Sequence, residues 1–426
     1  CGIGFNPNRT KQHAFHFNAD NCIGCHACEA ACSEKNDLPP HLSFRSVGYV
    51  EGGTFPDFTR MNISMACNHC DDPVCLKGCP TRAYTKHPEY GAVIQDPDIC
   101  FGCGYCTWVC PYNAPQLDPV GGQVEKCNMC VDRLEVGLKP ACVSACVGNA
   151  LDFGVVENMP SGASQIETTL PGFPDPSITQ PNIRFQQTKK LPYEMRRTDD
   201  VPVKYRRDPD DGRHKPVVDR NAGHARFWNI RRLSSRENPL VVFTLSTQAA
   251  IGTFVAGLAS GIADASFTYT AFLMVALALI GAGLFMSTMH LGKPVRFYRG
   301  FNNLRHSPVS REGLATVIFG AMVVLHGLCS LVPQLTPLVL PTALAAVIAG
   351  VATLAFMVQC YLIRARPFWN HWQTVSAFAG TALNLGGWLV LLYVALVKGD
   401  IPTPIVVMIM AGMLLEALGH VFHARD

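Results

Sequence analysis

The sequence predicts an α+β domain crowded with cysteine, followed by an all-α bundle of transmembrane helices. Three observations predict it. Seventeen of the 19 cysteines lie between Cys1 and Cys146, and only Cys329 and Cys360 lie beyond. Six long apolar stretches follow from Pro239 to the end of the chain, five without a charged residue and the sixth holding only Glu416. Charged residues make up 16% of the 426 residues, against about 25% in an ordinary soluble domain. The formal net charge of +3 argues against a nucleic-acid binder, which needs a concentrated basic face. The composition also argues against a disordered chain, a small disulfide scaffold and a plain soluble enzyme.

Sixteen cysteines form four groups of four: Cys22, Cys25, Cys28, Cys32; Cys67, Cys70, Cys75, Cys79; Cys100, Cys103, Cys106, Cys110; and Cys127, Cys130, Cys142, Cys146. The first and third groups have the C-x2-C-x2-C-x3-C spacing of bacterial ferredoxins. Three thiolates on a tight loop wrap one face of a 4Fe–4S cubane, and the fourth points toward a second cluster. Gly24, Gly102 and Gly104 let the loops approach closely. Zinc suits isolated C-x2-C pairs but not four quartets with a third cysteine in step. Disulfides are disfavoured by the crowding. The expectation is four 4Fe–4S clusters in a ferredoxin-like domain over residues 1–154, built as two pseudo-symmetric halves. Because the fourth cysteine crosses over, the groups must pair; spacing leaves open whether the first pairs with the second or the fourth. Cys79 and Cys110 precede proline, as the ferredoxin pattern has it, whereas Cys32 and Cys146 precede Ser33 and Val147.

Residues 155–236 are rich in proline, polar residues and arginine and show no apolar periodicity. They read as an extended strap or linker. The opening CGIGFNPNRTKQ contains no apolar run of signal-peptide length and no twin-arginine pair. Cys1 is read as following a missing initiator methionine, not as a lipid-bearing terminus.

Residues 237–426 contain six candidate spans: Pro239–Ile262, Phe267–Met289, Leu314–Val332, Leu338–Ile363, Thr374–Val397 and Ile405–Phe422. Each approaches the roughly 20 helical residues that cross about 30 Å of hydrocarbon. Basic residues alternate between the connections. Arg226, Arg231, Arg232 and Arg236 precede the first span; Lys293, Arg296, Arg299, Arg305 and Arg311 follow the second; Arg364 and Arg366 follow the fourth. The intervening loops carry only Lys398, and the tail carries Arg425. Lysine and arginine in short loops favour the cytoplasmic side. The cysteine-rich domain is therefore expected on the cytoplasmic face of an inner membrane, where thiols stay reduced.

Four clusters make an electron wire with two ends. Residues 1–236 hold no dinucleotide loop, nucleophile elbow or zinc-hydrolase helix, so the soluble end needs a catalytic partner. The other end meets the membrane lipid. Titratable residues within spans are costly and mark function. His290 ends the second span and Glu312 begins the third, on the cluster-facing side. A quinone exchanges two protons with its electrons, and this pair suits it. His326, Glu416, His420 and His423 also lie in or beside spans. Glu416 and His420, four apart, could pair on one helix face.

The runs NCIGCHACEAACSEKNDLP, CNHCDDPVCLKGCPTRA, DPDICFGCGYCTWVCPYNAPQ and KCNMCVDRLEVGLKPACVSACVGNALDFG resemble the four-cluster iron–sulfur subunit of the dimethyl sulfoxide reductase family. ENPLVVFTLSTQAAIGTFVAG, STMHLGKPVRFY and SPVSREG resemble that family's membrane anchor. The chain thus reads as a fusion of the two. The resemblance implies that group one pairs with group four and group two with group three. Cluster 1 would take Cys22, Cys25, Cys28 and Cys146; cluster 2, Cys32, Cys127, Cys130 and Cys142; cluster 3, Cys67, Cys70, Cys75 and Cys110; cluster 4, Cys79, Cys100, Cys103 and Cys106. A related nitrate reductase subunit has Trp where Cys103 stands and holds a three-iron cluster; Cys103 implies four irons here. The resemblance further implies a molybdopterin-containing catalytic subunit as partner. It implies quinol handling at His290 and Glu312 with ubiquinone or menaquinone, and no haem. The family anchor typically has eight spans where six are counted here. The alternative reading is a stand-alone quinone-linked polyferredoxin hub without a molybdenum partner.

Overall fold

The computed structural model describes residues 8–158, 170–187, 191–197, 203–218, 238–260, 267–397 and 402–424. Cys1, Arg226, Arg231, Arg232, Arg236, Lys398 and Arg425 lie outside the described residues. The chain divides into two compact units. One comprises Cys1–Lys77, Arg82–Cys100 and Gly104–Leu233; the other comprises Gly78–Thr81, Phe101–Cys103 and Ser234–Asp426.

The first unit is short strands and short helices. In order they are β1 (His13–Asn18), α1 (Ala27–Asn36), β2 (Arg45–Gly52), β3 (Thr59–Ala66), α2 (Val74–Gly78), β4 (Tyr84–Lys86), β5 (Val93–Gln95), α3 (Tyr105–Val109), β6 (Gln116–Asp118), β7 (Gln123–Glu125), α4 (Val131–Glu135), α5 (Ala141–Ser144), β8 (Leu151–Val155), β9 (Arg184–Gln186), β10 (Glu194–Arg197), β11 (Val203–Arg207) and β12 (His214–Val218). β1 is the middle of a three-stranded sheet, antiparallel to β8 and parallel to β9. Residues His13 to Phe17 are all buried, which accounts for a strand without polar alternation. Phe15 and Phe153 pack edge to face, as do Phe17 and Phe185. A second sheet runs β12-β11-β10-β2-β3, and β4–β5 and β6–β7 are hairpins.

The segment 155–236 supplies β9 to β12 to both larger sheets. Its strands escaped the sequence reading because they are 3–5 residues long and bury isolated residues such as Phe185, Met195 and Tyr205 instead of an apolar stripe. Glu194 of β10 binds Lys204 and its register partner Arg206 on β11.

The second unit contains α6 (Asn238–Ala259), α7 (Phe267–Met289), α8 (Pro308–Leu331), α9 (Val339–Tyr361), α10 (Trp372–Val397) and α11 (Thr403–His423). Among the described residues, six helices are long and apolar enough to span a membrane. In α6, 67% of the apolar stretch is buried, against 28–33% in the others, so α6 is the central helix. Gly252 of α6 and Gly386 of α10 touch through their backbones: a Cβ at either would overlap the other helix. Small residues allow such close crossings where lipid gives no hydrophobic drive between helices. Outward side chains such as Leu340, Ile348, Met410 and Leu396 are 61–77% exposed. An outer face of this kind belongs in lipid.

Candidate functional site

The cysteines of the first unit sit at helix starts and in the loops before them. α1 begins after His26, which takes the left-handed conformation at φ 61°. It carries Cys28 and Cys32, both buried. Gly24 (φ 69°) and Gly104 (φ 75°) lie in the loops before α1 and α3, where a side chain would strain the backbone. At Gly24 a Cβ would also press on the Asn62 amide, which donates to the Cys22 carbonyl at 2.8 Å.

Cys22, Cys25, Cys28 and Cys146 line one cavity, with Gly24 and Ser64 in its wall. The Leu151 amide donates to Cys146 Sγ at 3.3 Å, and Ser64 Oγ lies 3.4 Å from Cys28 Sγ. Cys67, Cys70, Cys75 and Cys110 line a second cavity, with Asn68, His69 and Lys126 in its wall. Cys32 lies within electrostatic reach of Cys130 and Cys142, and Cys127 within reach of Cys67, Cys142 and Cys32. Of the remaining four, Cys100 and Cys106 are buried in the first unit, while Cys79 and Cys103 belong to the segments of the second.

Burial first, and crowding second, raise the pKa values of these thiols. Burial pushes Cys32 and Cys70 up to about 12 and Cys110 up to about 11, and neighbouring thiols add to it. Cationic iron removes that cost by holding the thiolates. Among the described residues no three His, Cys, Asp or Glu converge on a single ion position. The thiols instead stand around cavities, as ligands of a multi-iron cubane do. Unpartnered donors sit in and beside the cavity walls. His69 Nδ1 accepts from the Val93 amide at 3.0 Å, so its proton is on Nε2. His69 Nε2, Arg45 Nε and both the Nδ2 and Oδ1 of Asn68 are buried without a hydrogen-bond partner. A buried unsatisfied donor costs about 1–3 kcal/mol, and the sulfur of a 4Fe–4S cluster would accept it. The residues present therefore fit the group.

In the second unit His290 directly follows α7 and is half-buried, its ring against the Ser287 backbone. Glu312 lies in the first turns of α8, 8% exposed, and accepts from Cys360 Sγ at 3.2 Å. A 3-10 turn at Pro294–Phe301 joins the two helices, so His290 and Glu312 lie at the same end of adjacent helices. Ser310 Oγ donates to the Gly300 carbonyl at 2.6 Å and ties that turn to α8.

The same unit holds the 78–81 and 101–103 segments by its own side chains and backbone. Asn303 Nδ2 donates to the Cys79 carbonyl and Ser307 Oγ to the Gly78 carbonyl, each at 2.8 Å. The Lys293 amide donates to the Phe101 carbonyl at 3.0 Å. Cys360 is within electrostatic reach of Cys103. Asn303, Ser307 and Cys360 were not marked in the sequence, where each is an isolated polar residue near a span end.

His326 is fully buried and bonded to Tyr269 Oη; its Nδ1 lies 3.1 Å from the Val339 carbonyl and 3.2 Å from Thr342 Oγ1. It ties α7, α8 and α9 together. Glu416 and His420 have different partners: Glu416 Oε1 accepts from Thr381 and Asn384 at 3.0 and 3.2 Å, and His420 Nδ1 lies 3.0 Å from Gln373 Nε2. Both bind across to α10, which competes with the pairing along α11 that their spacing allowed.

Strands, short helices and cysteine-lined cavities, followed by six apolar helices, define a membrane-anchored iron–sulfur electron-transfer protein. Residues 59–156 match the 4Fe-4S dicluster domain family, and residues 234–424 match the DMSO reductase anchor subunit family. One polypeptide of the anaerobic dimethyl sulfoxide reductase of Escherichia coli is 38% identical over 182 residues, 41% of this chain and 88% of the relative. Its Haemophilus influenzae counterpart is 37% identical over 188 residues, 42% and 91%. A subunit of the sulfite dehydrogenase of Allochromatium vinosum is 37% identical over 174 residues, 36% and 72%. The chain belongs to the dimethyl sulfoxide reductase family of electron-transfer subunits, with an iron–sulfur part and an anchor part fused in one polypeptide.

Proposed function

We propose that this chain carries electrons between a membrane quinone and a molybdopterin-containing catalytic subunit. Four 4Fe–4S clusters, when bound, supply one-electron relay sites. Their ligands are Cys22, Cys25, Cys28 and Cys146; Cys32, Cys127, Cys130 and Cys142; Cys67, Cys70, Cys75 and Cys110; and Cys79, Cys100, Cys103 and Cys106. The observation that carries this reading is the gathering of cysteines from distant parts of the chain around common cavities. The quinone end is read at His290 and Glu312. Glu312 and His290 can exchange the protons that accompany quinone redox chemistry. Supporting it, Cys79 and Cys103 belong to the same compact unit as His290 and Glu312. The fused anchor and the reductase and dehydrogenase relatives support the catalytic partner. The Allochromatium relative is named for sulfite and the Escherichia relative for dimethyl sulfoxide. Tag-purified complex assayed for molybdenum and for sulfite- and dimethyl-sulfoxide-dependent turnover identifies partner and direction. A complex without molybdenum returns the stand-alone hub. His290→Gln and Glu312→Gln should each slow quinone-linked turnover about tenfold or more, within the range of lost acid–base catalysis. Their iron content and low-temperature EPR spectra should match the parent chain. Normal turnover in both variants would remove the quinone assignment.

A further inference from the structure

The first unit buries two cations, Arg45 at 1% and Lys126 at 5% exposure. Charged side chains are almost never buried so fully unless paired. Among the described residues no carboxylate pairs with either. Arg45 NH1 donates to Ser64 Oγ at 3.1 Å, its guanidinium lies over the Phe15 ring at 4.7 Å, and its Nε is unpartnered. Lys126 Nζ donates to the Cys127 carbonyl at 2.8 Å, to the Val93 carbonyl and to Cys67 Sγ at 3.5 Å. Two other lysines near the thiols form a contrast. Lys35, by Cys130, pairs with Asp132 at 2.7 Å, and Lys86, by Cys70, pairs with Asp71 at 2.7 Å.

The position of each unpaired cation is specific. Arg45 acts on Cys28 of one cysteine set and on Cys127 and Cys142 of another. Lys126 acts on Cys127 of that second set and on Cys67 and Cys75 of a third. Arginine stays protonated in proteins, and the Lys126 Nζ points all three donors at the Cys127 and Val93 carbonyls and Cys67 Sγ. Each cation thus stands at a junction of two ligand sets, and the set of Cys32, Cys127, Cys130 and Cys142 touches both.

We infer that Arg45 and Lys126 are fixed internal counter-charges that set the reduction potentials of the centres on either side of them. Taking up one electron adds one negative charge to a thiolate-ligated centre. An uncompensated cation in a low-dielectric interior favours that reduced form, and here one charge serves two neighbours. The two therefore raise three potentials, the shared centre most, and let adjacent centres hold electrons together. Both are positioning residues; neither is a ligand. This inference rests on the four-cluster reading.

The test is an EPR-monitored redox titration of the full chain in its native membrane complex. The parent protein, with about sixteen irons per chain and four resolved centres, checks the reading underneath; fewer irons would overturn that reading first. With four centres present, Lys126→Gln and Arg45→Gln should each lower two potentials, by at least tenfold in the reduction equilibrium, about 59 mV for a one-electron couple. One centre should move in both variants. Lys126→Arg and Arg45→Lys keep the charge and should restore the parent values. Unchanged potentials in iron-replete glutamine variants overturn the inference, as do equal shifts in the charge-keeping variants. Glutamine variants that lose iron while the charge-keeping variants retain it at parent potentials assign the cations to cluster assembly and overturn the inference.

Discussion

His13 and His16 are buried on β1, His13 against Tyr90 and Phe153. Burial lowers both pKa values from the ordinary 6.5; a backbone contact at Lys11 and the charge of Asp152 offset it only in part. The folded state thus holds neutral imidazoles, while the unfolded chain takes up protons as pH falls through about 6.5. The stability they contribute is complete above that value and is lost as pH falls toward the depressed folded values. Thermal unfolding followed by bleaching of cluster absorbance should shift to lower temperature between pH 7 and pH 5. His16→Gln should flatten that dependence; an equally steep dependence would reassign it to other groups.

α1 shows how one element serves two sites. Cys28 and Cys32 are one turn apart, about 6 Å along the axis. Cys28 lines the cavity of Cys22, Cys25 and Cys146, while Cys32 is turned toward Cys130 and Cys142. In the second unit the crossing of α6 and α10 at Gly252 and Gly386 fixes the bundle's centre. Gly252→Leu has no flexible neighbour to displace, only the Ala382 carbonyl and the Gly386 backbone. Overpacking costs about 1–3 kcal/mol or more. This variant should insert in the membrane yet show a lower detergent-solubilised melting temperature, whereas Gly281→Leu, with open space around it, should not.

For the whole molecule the distribution of basic residues sets the expected orientation. Lys293, Arg296, Arg299 and Arg305 lie between α7 and α8, with Arg311 in the first turn of α8, and Arg364 and Arg366 lie between α9 and α10. Both connections should be cytoplasmic by the preference of basic loops for that side. A cysteine placed at Arg364 should be labelled by an impermeant maleimide only in inverted vesicles. Labelling in right-side-out cells would reverse the orientation.

The sixteen spaced cysteines and the six apolar runs were legible because each is a local pattern: ligand spacing along a loop and uncharged length along a helix. β9 to β12 were not legible, because they are 3–5 residues long and bury isolated residues such as Phe185, Met195 and Tyr205 instead of an alternating apolar stripe. The approach of Cys146 to Cys22, the two unpaired cations between thiol sets, and the Cys360–Glu312 contact depend on residues far apart in the chain. The sequence by itself determined how many thiols there are, how they are spaced and which half meets lipid. Only the tertiary structure decided which thiols face a common cavity and which buried charge faces them. Those outcomes depend on chain segments brought together by folding, and no local pattern encodes them.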